Sequence, residues 1–160
     1  IVNMAEALGS QGRKVLILDA EGSLSTMGNV HELPQKTKLS NVDYLQPNVA
    51  ACMRKPLDVL QEEIHSYLDH YDLVLINNEN LTNGILTNAW MSSSHCNFMM
   101  MDTRNTPKNA IMHYNLMCDE YKFSKAHFVL NRYGDNPNVM VESIQKIKSM
   151  FHKPVQTSWL

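Results

Sequence analysis

Lys14-Val-Leu-Ile-Leu-Asp19-Ala-Glu21-Gly-Ser is the stretch that most narrows what this chain can fold into. Residues 15–18 are four apolar side chains without polar alternation, which suits a strand covered on both faces. Ile1, Met4, Ala5 and Leu8 precede it at helical spacing, and Gly9 and Gly12 supply a stop. A helix, a turn and a doubly covered strand belong to a parallel sheet with helices on both sides.

The alternation continues along the chain. After a polar, turn-rich region over residues 20–42, which contains Pro34, Val42–Leu45 reads as a short strand. Pro56 suits the first turn of a helix whose stripe is Leu57, Leu60, Ile64, Tyr67 and Leu68, with Asp58, Glu62 and Glu63 in its N-terminal half. Residues 73–76 form a second buried-type strand, 85–91 a helix and 97–101 a third strand. Thr106-Pro107 reads as a cap and first-turn proline ahead of a stripe of Ala110, Ile111, Tyr114, Met117, Cys118 and Tyr121. Residues 126–130 make a fourth strand. Asn136-Pro137 opens a helix with Met140, Ile144, Ile147 and Phe151 inward, and Val155 begins a last strand. The expected fold class is α/β, three-layer, with a mostly parallel sheet flanked by helices and residues 1–160 as a single domain.

Composition removes several functions. A net charge of -2 gives no electrostatic case for broad nucleic-acid binding. Cys52, Cys96 and Cys118 are odd in number and far apart, against a disulfide framework or zinc site and in favour of a reducing compartment. His65 and His70 are five apart, on different sides of a helix. No apolar run approaches the ~18 residues of a membrane span. The eleven methionines, Met99-Met100-Met101 among them, read mostly as core filler. Ile1 is not a methionine, so a trimmed piece of a longer chain is expected.

In parallel sheets ligands bind beyond the carboxyl ends of the strands. The first end is Asp19-Ala-Glu21, where a carboxylate can orient water or hold magnesium through its hydration shell. A turn acid after a strand reads the same way. The second is Asn77-Asn78-Glu79-Asn80; Asn77 keeps the shape of an aspartate and loses the charge that magnesium prefers, weakening metal binding and hydrolysis. The third, Asp102-Thr-Arg104, reads as a turn acid leading to Thr106. The fourth is Asn131-Arg132-Tyr133-Gly134, whose Asn131 amide can pair with a purine edge or bond to its own loop backbone. No Ser/His/Asp, Cys/His or paired-carboxylate constellation assembles.

Asn3-Met-Ala-Glu-Ala-Leu8, followed by Gly12-Arg-Lys-Val-Leu-Ile-Leu-Asp19-Ala-Glu21, resembles the segment after the phosphate loop in MinD/ParA-type deviant Walker ATPases. Glu21-Gly-Ser-Leu-Ser-Thr-Met-Gly28 is similar to the ParA-type continuation. Tyr71-Asp72-Leu-Val-Leu-Ile-Asn77 matches the Walker B strand, with Asn77 where an aspartate is expected. Val129-Leu-Asn131-Arg-Tyr133 and Lys153-Pro-Val155 resemble most the CpaE/TadZ branch, MinD-like factors for assembly and polar placement of Flp (Tad) pili. The resemblance spans nearly the whole chain.

The resemblance implies a P-loop NTPase-like, SIMIBI/MinD-like fold with ATP and magnesium as cofactors. Asp19 would act near magnesium and the attacking water, with Asn77 its degenerate partner. Asn131, Arg132 and Glu21 would line the nucleotide, and Asn131 would read the adenine. The phosphate-loop lysines and Ser/Thr have no counterpart here and are expected before Ile1. A homodimer through the nucleotide face, pilus-assembly or polar-localisation partners, and a cytoplasmic position peripheral to the inner membrane or cell pole are implied; DNA is not an expected partner. Three functions compete: an atypical localisation or assembly factor that is at most a degenerate ATPase, an active ParA-type partition ATPase, and a tyrosine-kinase domain of polysaccharide export.

Overall fold

The computed structural model describes residues 1–24, 26–78, 85–102, 106–123 and 125–131, with Ile85, Leu130 and Asn131 described in backbone only. Arg132, the helix expected at Asn136-Pro137 and the strand expected at Val155 lie outside the described residues. The chain divides into two compact units, Ile1–Ser94 and His95–Leu160.

The first unit is built on β1 (Val15–Asp19), all five residues of which are buried. β3 (Val42–Leu45) and β4 (Leu73–Asn77) pair with it in parallel, one on each side, and the two-residue β2 (Gln35–Lys36) adds an antiparallel edge to β3. Side chains alternate between the faces of a strand. Val15 and Ile17 therefore join Val42 and Tyr44 in packing against Ala5 of α1 (Val2–Ser10). Leu18 points the other way, to Leu60 and Ile64 of α3 (Leu57–Tyr67) and to Leu86, Ala89 and Trp90 of α4 (Ile85–Ser93). Each such buried aliphatic side chain stabilises by about 1.5–3 kcal/mol, so β1 is the strand on which the unit depends. Within this unit the expected order of helix, sheet and helix holds.

Local chemistry explains the element ends. Gly12, at φ +85, makes the turn into β1. Gly9 lies inside α1 instead, where a Cβ would fall 2.2 Å from the Ser40 carbonyl oxygen, so its role is close packing rather than termination. Asp72 then fixes the start of β1 by accepting the Lys14 N–H at 2.8 Å. The one-turn α2 (Val49–Cys52), not expected from sequence, is capped by the Asn48 side chain accepting from the Ala51 N–H at 3.2 Å.

Some stripes are narrower than expected. Leu60 and Ile64 are buried, whereas Leu57 and Leu68 at the ends of the α3 stripe are exposed. β4 is half-buried along its whole length rather than enclosed. Methionine is less of a core filler than its frequency suggests: Met91, Met101 and Met117 are buried, while Met4, Met53, Met100 and Met112 are exposed.

The second unit pairs β5 (Asn97–Asp102) with β6 (Ala126–Asn131) in parallel, Asp102 opposite Asn131. α5 (Lys108–Tyr121) connects them and buries Ile111, Tyr114 and Met117, with the Tyr114 ring edge-on to Phe128 at 5.2 Å. Tyr121 is exposed on its end of the stripe. Thr106 does not cap this helix; Pro107 holds the cap position. The Thr106 hydroxyl instead accepts the Asp102 N–H at 2.8 Å, and its own N–H donates to the Asp102 carbonyl at 2.8 Å, closing a turn back onto β5. Among the described residues no helix is long and apolar enough to cross a membrane.

Candidate functional site

The carboxyl end of β1 carries a dense polar arrangement. Register sets it up: Asp19 stands opposite Asn77 on β4, and Ile17 opposite Tyr44 on β3. In-register residues of parallel strands share a face, so Asp19, Asn77 and Tyr44 all project to the α1 side. The Asp19 side chain is fully buried.

Asp19 is surrounded by donors. One carboxylate oxygen accepts the Gly22 N–H at 3.1 Å and the Asn77 amide at 2.7 Å; the other accepts the Leu24 N–H and the Tyr44 hydroxyl, both at 2.8 Å. An ionised carboxylate offers about four lone-pair sites, and here four donors fill them. Hydrogen bonds to a charged group contribute roughly 1.5–3 kcal/mol each, so this buried charge is stabilised by its loop rather than exposed to a ligand. The loop can wrap Asp19 because Gly22 adopts φ +71, a left-handed conformation that glycine reaches without steric cost.

Asn77 ties the loop to β4. Its side-chain amide nitrogen also lies 3.0 Å from the Ser23 hydroxyl and 3.4 Å from the Glu21 carboxylate, and its backbone carbonyl accepts the Ala20 and Glu21 N–H groups at 2.9 and 3.2 Å. Ser23 in turn donates to Glu21 at 2.9 Å. Burial first, then the hydrogen bond and charge of Asp19, push the Tyr44 hydroxyl well above the usual tyrosine value.

The structure thus brings together Asp19, Glu21 and Asn77, three residues singled out from sequence, and adds Tyr44 and Ser23, which were not. The available signal for Tyr44 was its place in a buried strand: a buried phenol normally finds a polar partner, and the neighbouring strand ends in an acid. Asn131 closes β6 in the second unit, with its side chain outside the description, as is Arg132.

Magnesium fits this arrangement poorly. Whether bound directly or through its water, the ion needs a free carboxylate lone pair, and those of Asp19 are taken by protein donors. Among the described residues no cluster of three or more His, Cys, Asp or Glu side chains could hold a metal. A separate cleft of about 640 Å³, lined by Leu45, Ala51, Cys52, Lys55, Glu63 and Tyr67 among others, shares no residue with the Asp19 cluster. Burial raises the Cys52 thiol, outweighing the pull of Lys55, so it is no ready nucleophile.

No protein-family model and no curated protein matches the sequence. Solved structures match in shape. The septum site-determining protein MinD from Pyrococcus horikoshii, complexed with Mg-ADP, is 20% identical with a TM-score of 0.63, covering 91% of this chain and 69% of that one. A plasmid partition protein from Borrelia burgdorferi is 15% identical with a TM-score of 0.67, covering 91% and 77%. The BceF tyrosine kinase domain is 16% identical with a TM-score of 0.56; the match covers 79% of this chain and spans 60% of that domain's length. Identities this low speak to the fold alone. The chain has the mixed α/β fold, a mostly parallel sheet flanked by helices, that MinD, plasmid-partition and tyrosine-kinase-domain structures share.

Proposed function

We propose that this chain is an atypical MinD/ParA-like domain that binds ATP with weak or no hydrolysis and serves as a localisation or assembly factor. The observation that carries the reading is the 2.7 Å contact of the Asn77 amide with Asp19. Hydrolysis in such a fold asks a carboxylate near the phosphates to hold hydrated magnesium or orient water. Asp19 is committed to its loop, and the opposing position carries an amide instead of an acid. Glu21, exposed beside it, is the carboxylate left to face solvent.

This reading assigns the nucleotide base to Asn131 and Arg132. The finer assignment to a Flp (Tad) pilus system rests on the resemblance around Asn131 and Lys153-Pro-Val155. It carries with it a homodimer formed through the nucleotide face and a peripheral place at the cell pole.

Radiolabelled ATP and the full-length protein separate the three competing functions. The proposal expects retained ATP, little phosphate release and no labelled protein. DNA-stimulated phosphate release would instead identify a partition ATPase, and label on tyrosine a kinase domain. Failure to retain ATP at all would overturn the nucleotide-binding reading.

A further inference from the structure

We propose that the Asn77 amide stands in for a divalent cation at the end of β1, so that residues 20–24 keep their shape without metal. Three oxygens converge on its nitrogen: Asp19 at 2.7 Å, Ser23 at 3.0 Å and Glu21 at 3.4 Å. Two carboxylates and a hydroxyl around one point are the donor set of a hard cation. The group found there is a neutral amide. Its nitrogen, not its oxygen, faces them, because carboxylates only accept.

The amide does what an ion would do at that point. It offsets the mutual repulsion of Asp19 and Glu21 with the positive end of its N–H dipoles. Separately from the side chain, the Asn77 backbone carbonyl accepts the Ala20 and Glu21 N–H groups and holds the same loop from behind. Gly22, Leu24 and Tyr44 occupy the other three sites on Asp19, so the closure is complete in the bare protein. The inference rests on the proposed nucleotide reading for the site's place in function; the metal-independence of the loop stands apart from it.

Thermal unfolding without nucleotide, in excess magnesium and in EDTA, tests it on the full chain and two variants. Wild type should unfold at the same temperature in both. Asn77→Asp creates a third carboxylate in the cluster; it should unfold lower in EDTA and recover by about 2–4 °C or more as magnesium is added. Asn77→Ala, lacking both amide and charge, should unfold lower with no recovery. If Asn77→Asp does not fold in EDTA, magnesium should restore its circular dichroism. Magnesium stabilisation of wild type beyond that of Asn77→Ala would overturn the proposal, as would an Asn77→Asp variant indifferent to magnesium. No sample contains nucleotide, so failure of ATP binding and failure of this inference are read separately.

Discussion

Asn77 and Asp19 face each other across the β1–β4 ladder, with amide nitrogen and carboxylate oxygen 2.7 Å apart. An acid at position 77 would set two carboxylates at that separation in a partly buried place, which favours a proton or a cation between them. The amide removes that preference. This single exchange turns the strand end from a place that favours an ion into one already closed.

Tyr44→Phe deletes one donor to Asp19 and leaves the ring in the core. Losing a hydrogen bond to a buried charge costs about 1–3 kcal/mol. Urea unfolding should show a lower midpoint with an unchanged slope. A midpoint equal to wild type would mean the hydroxyl contributes nothing to holding Asp19.

Alkaline pH should weaken the fold. Tyr44 holds its proton in the folded state beyond the ordinary value near 10, whereas the unfolded chain releases it there. Tyr67 is pushed up to about 12, by burial and then by Glu63. The native state thus binds more protons above about pH 10, so stability is full below that value and lost above it. The slope is about 1.4 kcal/mol per pH unit for each such tyrosine. Denaturant titrations across this range should show Tyr44→Phe losing stability less steeply than wild type.

Gly22→Ala should destabilise by about 1 kcal/mol or more, through two separable causes. An alanine at φ +71 is strained, and its Cβ would lie 2.7 Å from the Gln46 side-chain nitrogen. Adding Gln46→Ala relieves the contact and not the backbone strain. The double variant should therefore recover part of the loss; full recovery would show that the conformation itself is inexpensive.

Much of the scaffold was legible because β1 announces itself. Four consecutive apolar residues ending in Asp19 admit few environments, and the spacing of Leu60 with Ile64 and of Ile111 with Tyr114 located the helices that flank the strands. The candidate site was legible only in part. Asp19, Glu21 and Asn77 follow strands in sequence, but their meeting depends on pairing register, which periodicity alone does not give. Tyr44 was hidden for the same reason, being 25 residues from Asp19 along the chain. Thr106 followed the pattern of a helix cap and was claimed instead by the Asp102 backbone, because a threonine hydroxyl serves whichever local turn reaches it first. Leu57, Leu68 and Tyr121 kept helical period yet lie at helix ends beyond the packed surface.

Hydrogen exchange of the Gly22 and Leu24 amides probes the account most directly, because both N–H groups are bonded to the Asp19 carboxylate. In metal-free protein they should exchange slowly, at rates that adding magnesium leaves unchanged, and Asn77→Ala should speed both. Unprotected exchange in EDTA that becomes slow with magnesium would contradict the claim that protein donors alone close this loop.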